Sequence, residues 1–275
     1  MRKSLRRFIL HKKEKPEETM SGMTITPCEG VGAEITGVDL RHLSDAEDQQ
    51  IKAAFADHGV IFFRDQNLSE TDHIKMAERF GEININRFFA AHPDYPEIAM
   101  VAKDVDDKDN IGGGWHTDHS YDVEPALGSI LVARELPPSG GDTRFSSMYR
   151  AYESLSEETK ARIKGLEAVH SAKHIFGSAE DSAYSQSDNR DTERVGNADV
   201  ADVLQDVTHP VVITHPLSGK KALYVNPAFT VGIAGLDKAE SDALLGELYT
   251  AAIDPAHVYQ FQWKPGSIAM WDNRS

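Results

Sequence analysis

Gly112-Gly113-Gly114-Trp115-His116-Thr117-Asp118 is the stretch whose reading decides what this chain is. A histidine and an aspartate two positions apart leave the same face of an extended strand, because strand side chains alternate with a period of two. One imidazole beside one carboxylate supplies two members of a facial set of two histidines and one carboxylate. That set holds Fe(II) while leaving coordination positions open. The glycines ahead of the pair let backbone approach closely. A His-x-Asp spacing taken alone also describes ordinary surface polar pairs, so the remainder of the chain must decide.

On either side of that stretch the chain reads as many short strands with a few helices. Thr24 to Val38 is rich in β-branched residues and broken by Gly30, Gly32 and Gly37, which predicts a β-hairpin. Ser44-Asp45-Ala46-Glu47 is a capping box, opening a helix that buries Ile51, Ala54 and Phe55 and ends near His58-Gly59. Val60-Ile61-Phe62-Phe63 reads as a buried strand. Ser69 opens a second helix carrying Ile74, Ala77 and Phe80, with Gly81 as its C-cap. Strands are predicted at Ile98 to Val101, Ser129 to Ala133, Thr143 to Phe145, Val211 to Thr214, Ala222 to Val225, Tyr259 to Trp263 and Ile268 to Trp271. Short helices are predicted from Tyr149 to Lys164, and an amphipathic helix from Asp237 to Ala252 with Leu244, Leu245 and Leu248 inward. Strands broken by Gly and Pro, with helices to the side, predict a mainly β fold with flanking helices (α+β) around a double-stranded β-helix, or jelly roll.

Composition narrows the partners. The 275 residues carry a formal charge of −15, with 40% hydrophobic and 27% charged side chains. That is ordinary for one large globular domain and argues against a nucleic-acid surface. No apolar run is long enough for a membrane helix. The lone Cys28 excludes an internal disulfide and suits a reducing cytoplasm. Residues 1–22 form a basic extension, with seven basic against three acidic side chains, read as a disordered or over-extended start. They are followed by one domain over 23–275. Residues 177–206 are polar and without period, a lid or a surface insert.

Several blocks now stand in one order: Arg64-Asp65-Gln66, Arg79-Phe80-Gly81-Glu82, Trp115-His116-Thr117-Asp118, Gly140-Gly141-Asp142-Thr143, His209-Pro210-Val211-Val212 with Thr214 to Asn226, and Trp271-Asp272-Asn273-Arg274. On these blocks the chain resembles the taurine dioxygenase-like family of Fe(II)- and 2-oxoglutarate-dependent oxygenases, from about Ile25 to Arg274. The resemblance implies an enzyme that uses Fe(II), 2-oxoglutarate and O2 to hydroxylate a small organic acid, releasing succinate and CO2. It assigns His116 and Asp118 as metal ligands and Thr143 as the hydroxyl at the distal carboxylate of 2-oxoglutarate. It assigns Asn86, Gly112, Ala172 and Phe229 to the substrate pocket. Thr143 also reads as an ordinary turn or strand residue, and Phe229 as core packing. Asn86, Gly112 and Ala172 stand where the taurine enzymes carry His, Asn and Phe. These neutral or smaller side chains argue against taurine and for another sulfonate, a carboxylate or an aryloxyalkanoate.

In the family the Trp-Asp-Asn-Arg block is followed by a third histidine ligand and by an arginine that anchors 2-oxoglutarate. Neither follows Arg274 here, so the expectation is a jelly roll short of its C-terminal strands, with two of three protein ligands. Two further readings stay open: a non-catalytic member that binds a small ligand or protein in the same cavity, and a metal-dependent hydrolase built on the same His-x-Asp pair. A homo-oligomer is compatible with all three.

Overall fold

The computed structural model describes residues 22–86, 88–103, 112–176 and 205–275. The expectations for 1–22 and 177–206 therefore lie outside the described residues, save for 22, 205 and 206. The order opens with β1 (Thr24–Pro27), β2 (Ala33–Thr36), α1 (Asp45–His58), β3 (Val60–Phe63), α2 (Glu70–Glu78), β4 (Ala91–His92) and β5 (Tyr95–Ala99). It continues through β6 (Gly128–Val132), β7 (Thr143–Ser146), α3 (Met148–Ser154), α4 (Glu157–Ile163), β8 (Glu167–His170) and α5 (Lys173–Phe176). It closes with β9 (Val207–Pro210), β10 (Val212–Thr214), β11 (Lys221–Leu223), β12 (Thr230–Ile233), α6 (Lys238–Ala252), β13 (Val258–Phe261) and β14 (Ile268–Asp272). This is a mixed α and β fold, dominated by strands.

The main sheet has the order β1-β2-β3-β14-β6; only the β2–β3 pair is parallel. Val60-Ile61-Phe62-Phe63 lies fully buried between the two faces of this sheet. Ile61 and Phe63, with Ile268 and Met270 of β14, meet Ile51, Ala54 and Phe55 of α1 and Met76 of α2. Val60 and Phe62, with Ala269, point the other way onto Phe261. There the β7–β13 ribbon covers the sheet, and Phe62 stacks on Phe261 at 4.3 Å while meeting Phe145 edge-on at 5.5 Å. Each such ring contributes about 2–3 kcal/mol by leaving water. A third sheet, β12-β8-β9, and the β10–β11 hairpin join α3 and α6 through a separate core that includes Leu244, Leu245 and Leu248.

The predicted caps at Ser44 and Ser69 are both present as reciprocal boxes, Ser44 with Glu47 and Ser69 with Asp72. Three local readings are corrected. The second helix stops at Glu78 with Arg79 as C-cap rather than Gly81; Met76 is its fully buried residue, and Phe80, just past the helix, packs against the same core. The strand expected over Ile98 to Val101 runs Tyr95–Ala99, pinned by its pairing with β4. Residues 115–118 are not in a strand: no ladder reaches them, and the chain turns from 118 to 121.

A buried ion cluster ties the second core to the main sheet. Asp272, at the end of β14, accepts from His215 Nε2 at 2.9 Å and from Arg274 Nε and Nη2 at 2.8 and 2.6 Å. His215 Nδ1 accepts from the backbone N–H groups of Leu217 and Ser218, which leaves its proton on Nε2, facing Asp272. Burial pushes the Asp272 carboxyl up, but the Arg274 and His215 hydrogen bonds outweigh it and hold the pKa below the usual carboxylate range. Asp272→Ala should strand the buried His215 imidazole and the half-buried Arg274 guanidinium and lower the stability to urea by about 3 kcal/mol; an unchanged unfolding midpoint would show that the cluster carries no load.

Candidate metal centre and substrate pocket

His116 and Asp118 do converge, though from a loop. His116 Nε2 lies 3.3 Å from Asp118 Oδ1, with the two side chains 33% and 29% exposed. Two donors about 2.1 Å from one first-row ion, at right angles, stand roughly 3.0 Å apart, so the gap suits a shared metal. His116 Nδ1 lies 2.8 Å from the Gly114 carbonyl. The carbonyl can only accept, so Nδ1 carries the proton and Nε2 is the nitrogen presented to a cation. Without a metal, a proton serves: burial works to lower the His116 pKa, but its hydrogen bond to Asp118 and that carboxylate's charge raise it overall. For Asp118, burial raises, while His116 and Ser129 pull the pKa down.

The turn beyond the pair is held by side chains. His119 adopts φ +58° and directs Nδ1 to Asp122 Oδ2 at 2.8 Å. It is thereby buried away from His116 and does not extend the ligand set. Ser120 is fully buried and accepts from Asn226 Nδ2 at 2.9 Å, while Asn226 Oδ1 accepts from the Phe229 backbone N–H at 2.8 Å. Asn226 thus fastens the 226–230 loop to the turn that follows His116 and Asp118. Among the described residues no set of three His, Cys, Asp or Glu side chains converges.

Gly112 has φ +67°, and a Cβ there would lie 3.2 Å from His116 Cε1. The residue is therefore glycine for both backbone and space. Phe229 stands edge-on to His116 at 6.5 Å and belongs to a buried cluster with Phe88, Tyr121 and Ala172, against which Phe176 packs. The core-packing reading of Phe229 is met, and its ring also faces the His116 imidazole. Ala172 is buried in the same cluster. Asn86 spends its carboxamide oxygen on the backbone N–H groups of Phe88 and Phe89, at 2.8 and 3.0 Å, fixing the turn that delivers Phe88. Thr143 sits at the start of β7, where its hydroxyl accepts from Trp263 Nε1 at 3.0 Å and keeps its own proton to donate. Tyr121, Phe88, Phe176, Ser120 and Ser129 were not readable as site residues, since isolated apolar and hydroxyl side chains carry no spacing signal.

Behind the turn, His170 is fully buried against His209 and Tyr224, at 5.4 and 5.8 Å between ring centres, and its Nε2 has no partner among the described residues. Burial, then the neighbouring His209, lowers its pKa to about 4.

The family described as "Taurine catabolism dioxygenase TauD, TfdA family" matches residues 24–275. The chain is 33% identical over 250 residues to the (S)-phenoxypropionate/alpha-ketoglutarate-dioxygenase of Sphingobium herbicidovorans, covering 88% of this chain and 83% of that one. It is 33% identical over 263 residues to the alpha-ketoglutarate-dependent sulfonate dioxygenase of Saccharomyces cerevisiae, covering 91% of this chain and 60% of the yeast protein. The crystal structure of a taurine dioxygenase from Burkholderia xenovorans superposes with a TM-score of 0.74 at 31% identity, covering 92% of this chain and 80% of that one. The chain belongs to the TauD/TfdA family of alpha-ketoglutarate-dependent dioxygenases, whose chemistry uses Fe(II), 2-oxoglutarate and O2.

Two predictions follow from this geometry. Gly112→Ala should cost about 1 kcal/mol for the left-handed backbone and displace the His116 ring; an unshifted His116 Cε1–H resonance would contradict the crowding. Between pH 6.5 and about 4 the unfolded chain takes a proton at His170 that the folded chain refuses. Stability therefore falls as pH drops through that window, by an amount of order 3 kcal/mol at most. His170→Phe should flatten the slope in urea titrations, and an unaltered slope would assign the effect elsewhere.

Proposed function

We propose that this chain is a jelly-roll dioxygenase that uses Fe(II) and 2-oxoglutarate to hydroxylate a small organic acid with an apolar or aryl body. The observation that carries the reading is the orientation of His116. Its Nδ1–H is spent on the Gly114 carbonyl, which leaves Nε2, 3.3 Å from Asp118 Oδ1, as the nitrogen available to a cation. When bound there, iron supplies O2 activation coupled to the oxidation of 2-oxoglutarate to succinate and CO2. His116 and Asp118 hold the ion, and the Thr143 hydroxyl donates to the distal carboxylate of 2-oxoglutarate.

The substrate class rests on the wall beside His116. Phe88, Tyr121, Phe229 and Ala172 form a buried apolar surface suited to a hydrocarbon or ring, with Asn86 and Gly112 adding no charge. That composition supports a phenoxyalkanoate or an alkyl sulfonate over taurine, whose ammonium would find no partner in the wall. One relative is named for phenoxypropionate and another for sulfonates. A second reading is ligand binding without turnover in the same fold. The deciding assay supplies Fe(II) in excess.

With Fe(II), 2-oxoglutarate and O2, succinate release should rise on adding a phenoxyalkanoate, and His116→Ala should abolish it. Release that survives in His116→Ala would remove the assigned site; acid binding without iron and without succinate would establish the second reading.

A further inference from the structure

Asp118 presents two oxygens to two different groups. Oδ1 faces His116 Nε2 at 3.3 Å, whereas Oδ2 accepts from the Ser129 hydroxyl at 3.0 Å. The two residues are close in sequence but belong to different kinds of structure. Asp118 stands in a loop with no ladder, entering a turn closed by the His119–Asp122 pair. Ser129 stands on β6, in register with Trp271 of β14, and its neighbour Gly128 faces Asp272. The next residue, Ile130, has its carbonyl held by His73 Nε2 of α2 at 3.1 Å. Ser129 therefore has a backbone fixed by the main sheet, and the carboxylate it grips has none.

We propose that Ser129 is a positioning residue for the metal-binding carboxylate: from the β6–β14 ladder its hydroxyl holds Asp118 Oδ2, so that Oδ1 stays turned toward His116 Nε2. The inference rests on the metal-site reading above and deepens it. A carboxylate on a loop outside any ladder can rotate about its Cβ–Cγ bond, a broad two-fold torsion, and exchange its oxygens or swing out to water. A donor on Oδ2 removes that freedom and leaves Oδ1 as the free coordinating atom. It also satisfies a lone pair that a half-buried carboxylate would otherwise direct at apolar surroundings. Outer partners of this kind change metal affinity by about 10–100-fold when removed.

The experiment is a Mn(II) titration of the full chain, reading free Mn(II) by electron paramagnetic resonance, with thermal unfolding recorded on each metal-free variant. Asp118→Ala should remove Mn(II) binding. Ser129→Ala should weaken it by about 10-fold while leaving metal-free unfolding close to the parent, and Ser129→Thr, which keeps the hydroxyl, should restore it. A merely structural serine would move the unfolding temperature and not the Mn(II) affinity. Binding by Ser129→Ala equal to the parent, alongside loss in Asp118→Ala, overturns the positioning role and leaves the metal site standing. Mn(II) binding that is absent from the parent, or indifferent to Asp118→Ala, overturns the metal-site reading and this assignment with it.

Discussion

The two-sided pairing of β14 governs the rest of the structure. Its backbone bonds to β3 on one side and β6 on the other, and its alternate side chains reach two separate cores. Such a strand can neither slip by one residue nor turn over, because either change would exchange the faces of Ile268 and Met270 with that of Ala269. From this fixed line three attachments run outward. Asp272 takes the His215 turn and Arg274, β6 takes Ser129, and β3 takes α1 through Ile61 and Phe63.

The candidate metal pair profits from that rigidity at second hand. A loop rich in glycine can place His116 and Asp118 within 3.3 Å of each other only if something other than its own backbone restrains it. Gly114 fixes the imidazole through Nδ1, Ser129 fixes the carboxylate through Oδ2, and Asn226 fixes the turn through Ser120. A loop allows the open coordination face that a paired strand would partly cover. Its cost is dependence on these three side-chain and carbonyl contacts.

The ring cluster is first of all a core. Phe229 and Tyr121 meet at 4.6 Å and Phe88 stacks on Phe176 at 4.2 Å. One of its rings, Phe229, also faces His116 edge-on at 6.5 Å. Asn86 illustrates the same economy, since its carboxamide oxygen builds the turn that carries Phe88 rather than reaching a ligand directly.

What the sequence by itself determined is the part written in short-range chemistry. Ser44 with Glu47, Ser69 with Asp72, the all-apolar Val60 to Phe63, the leucines of α6 and the His116-x-Asp118 pair each lie within a few residues of their partners. Periodicity and capping rules read such neighbours directly, and the order of the blocks pointed to the family. Only the tertiary structure decided that residues 115–118 are loop, that Gly81 caps nothing, and that His215 pairs with Asp272 across 57 residues or Thr143 with Trp263 across 120. The physical reason is common to all of these. A ladder, a helix end or a buried ion pair is settled by what another segment brings to it, and spacing along one strand of sequence holds no record of that partner.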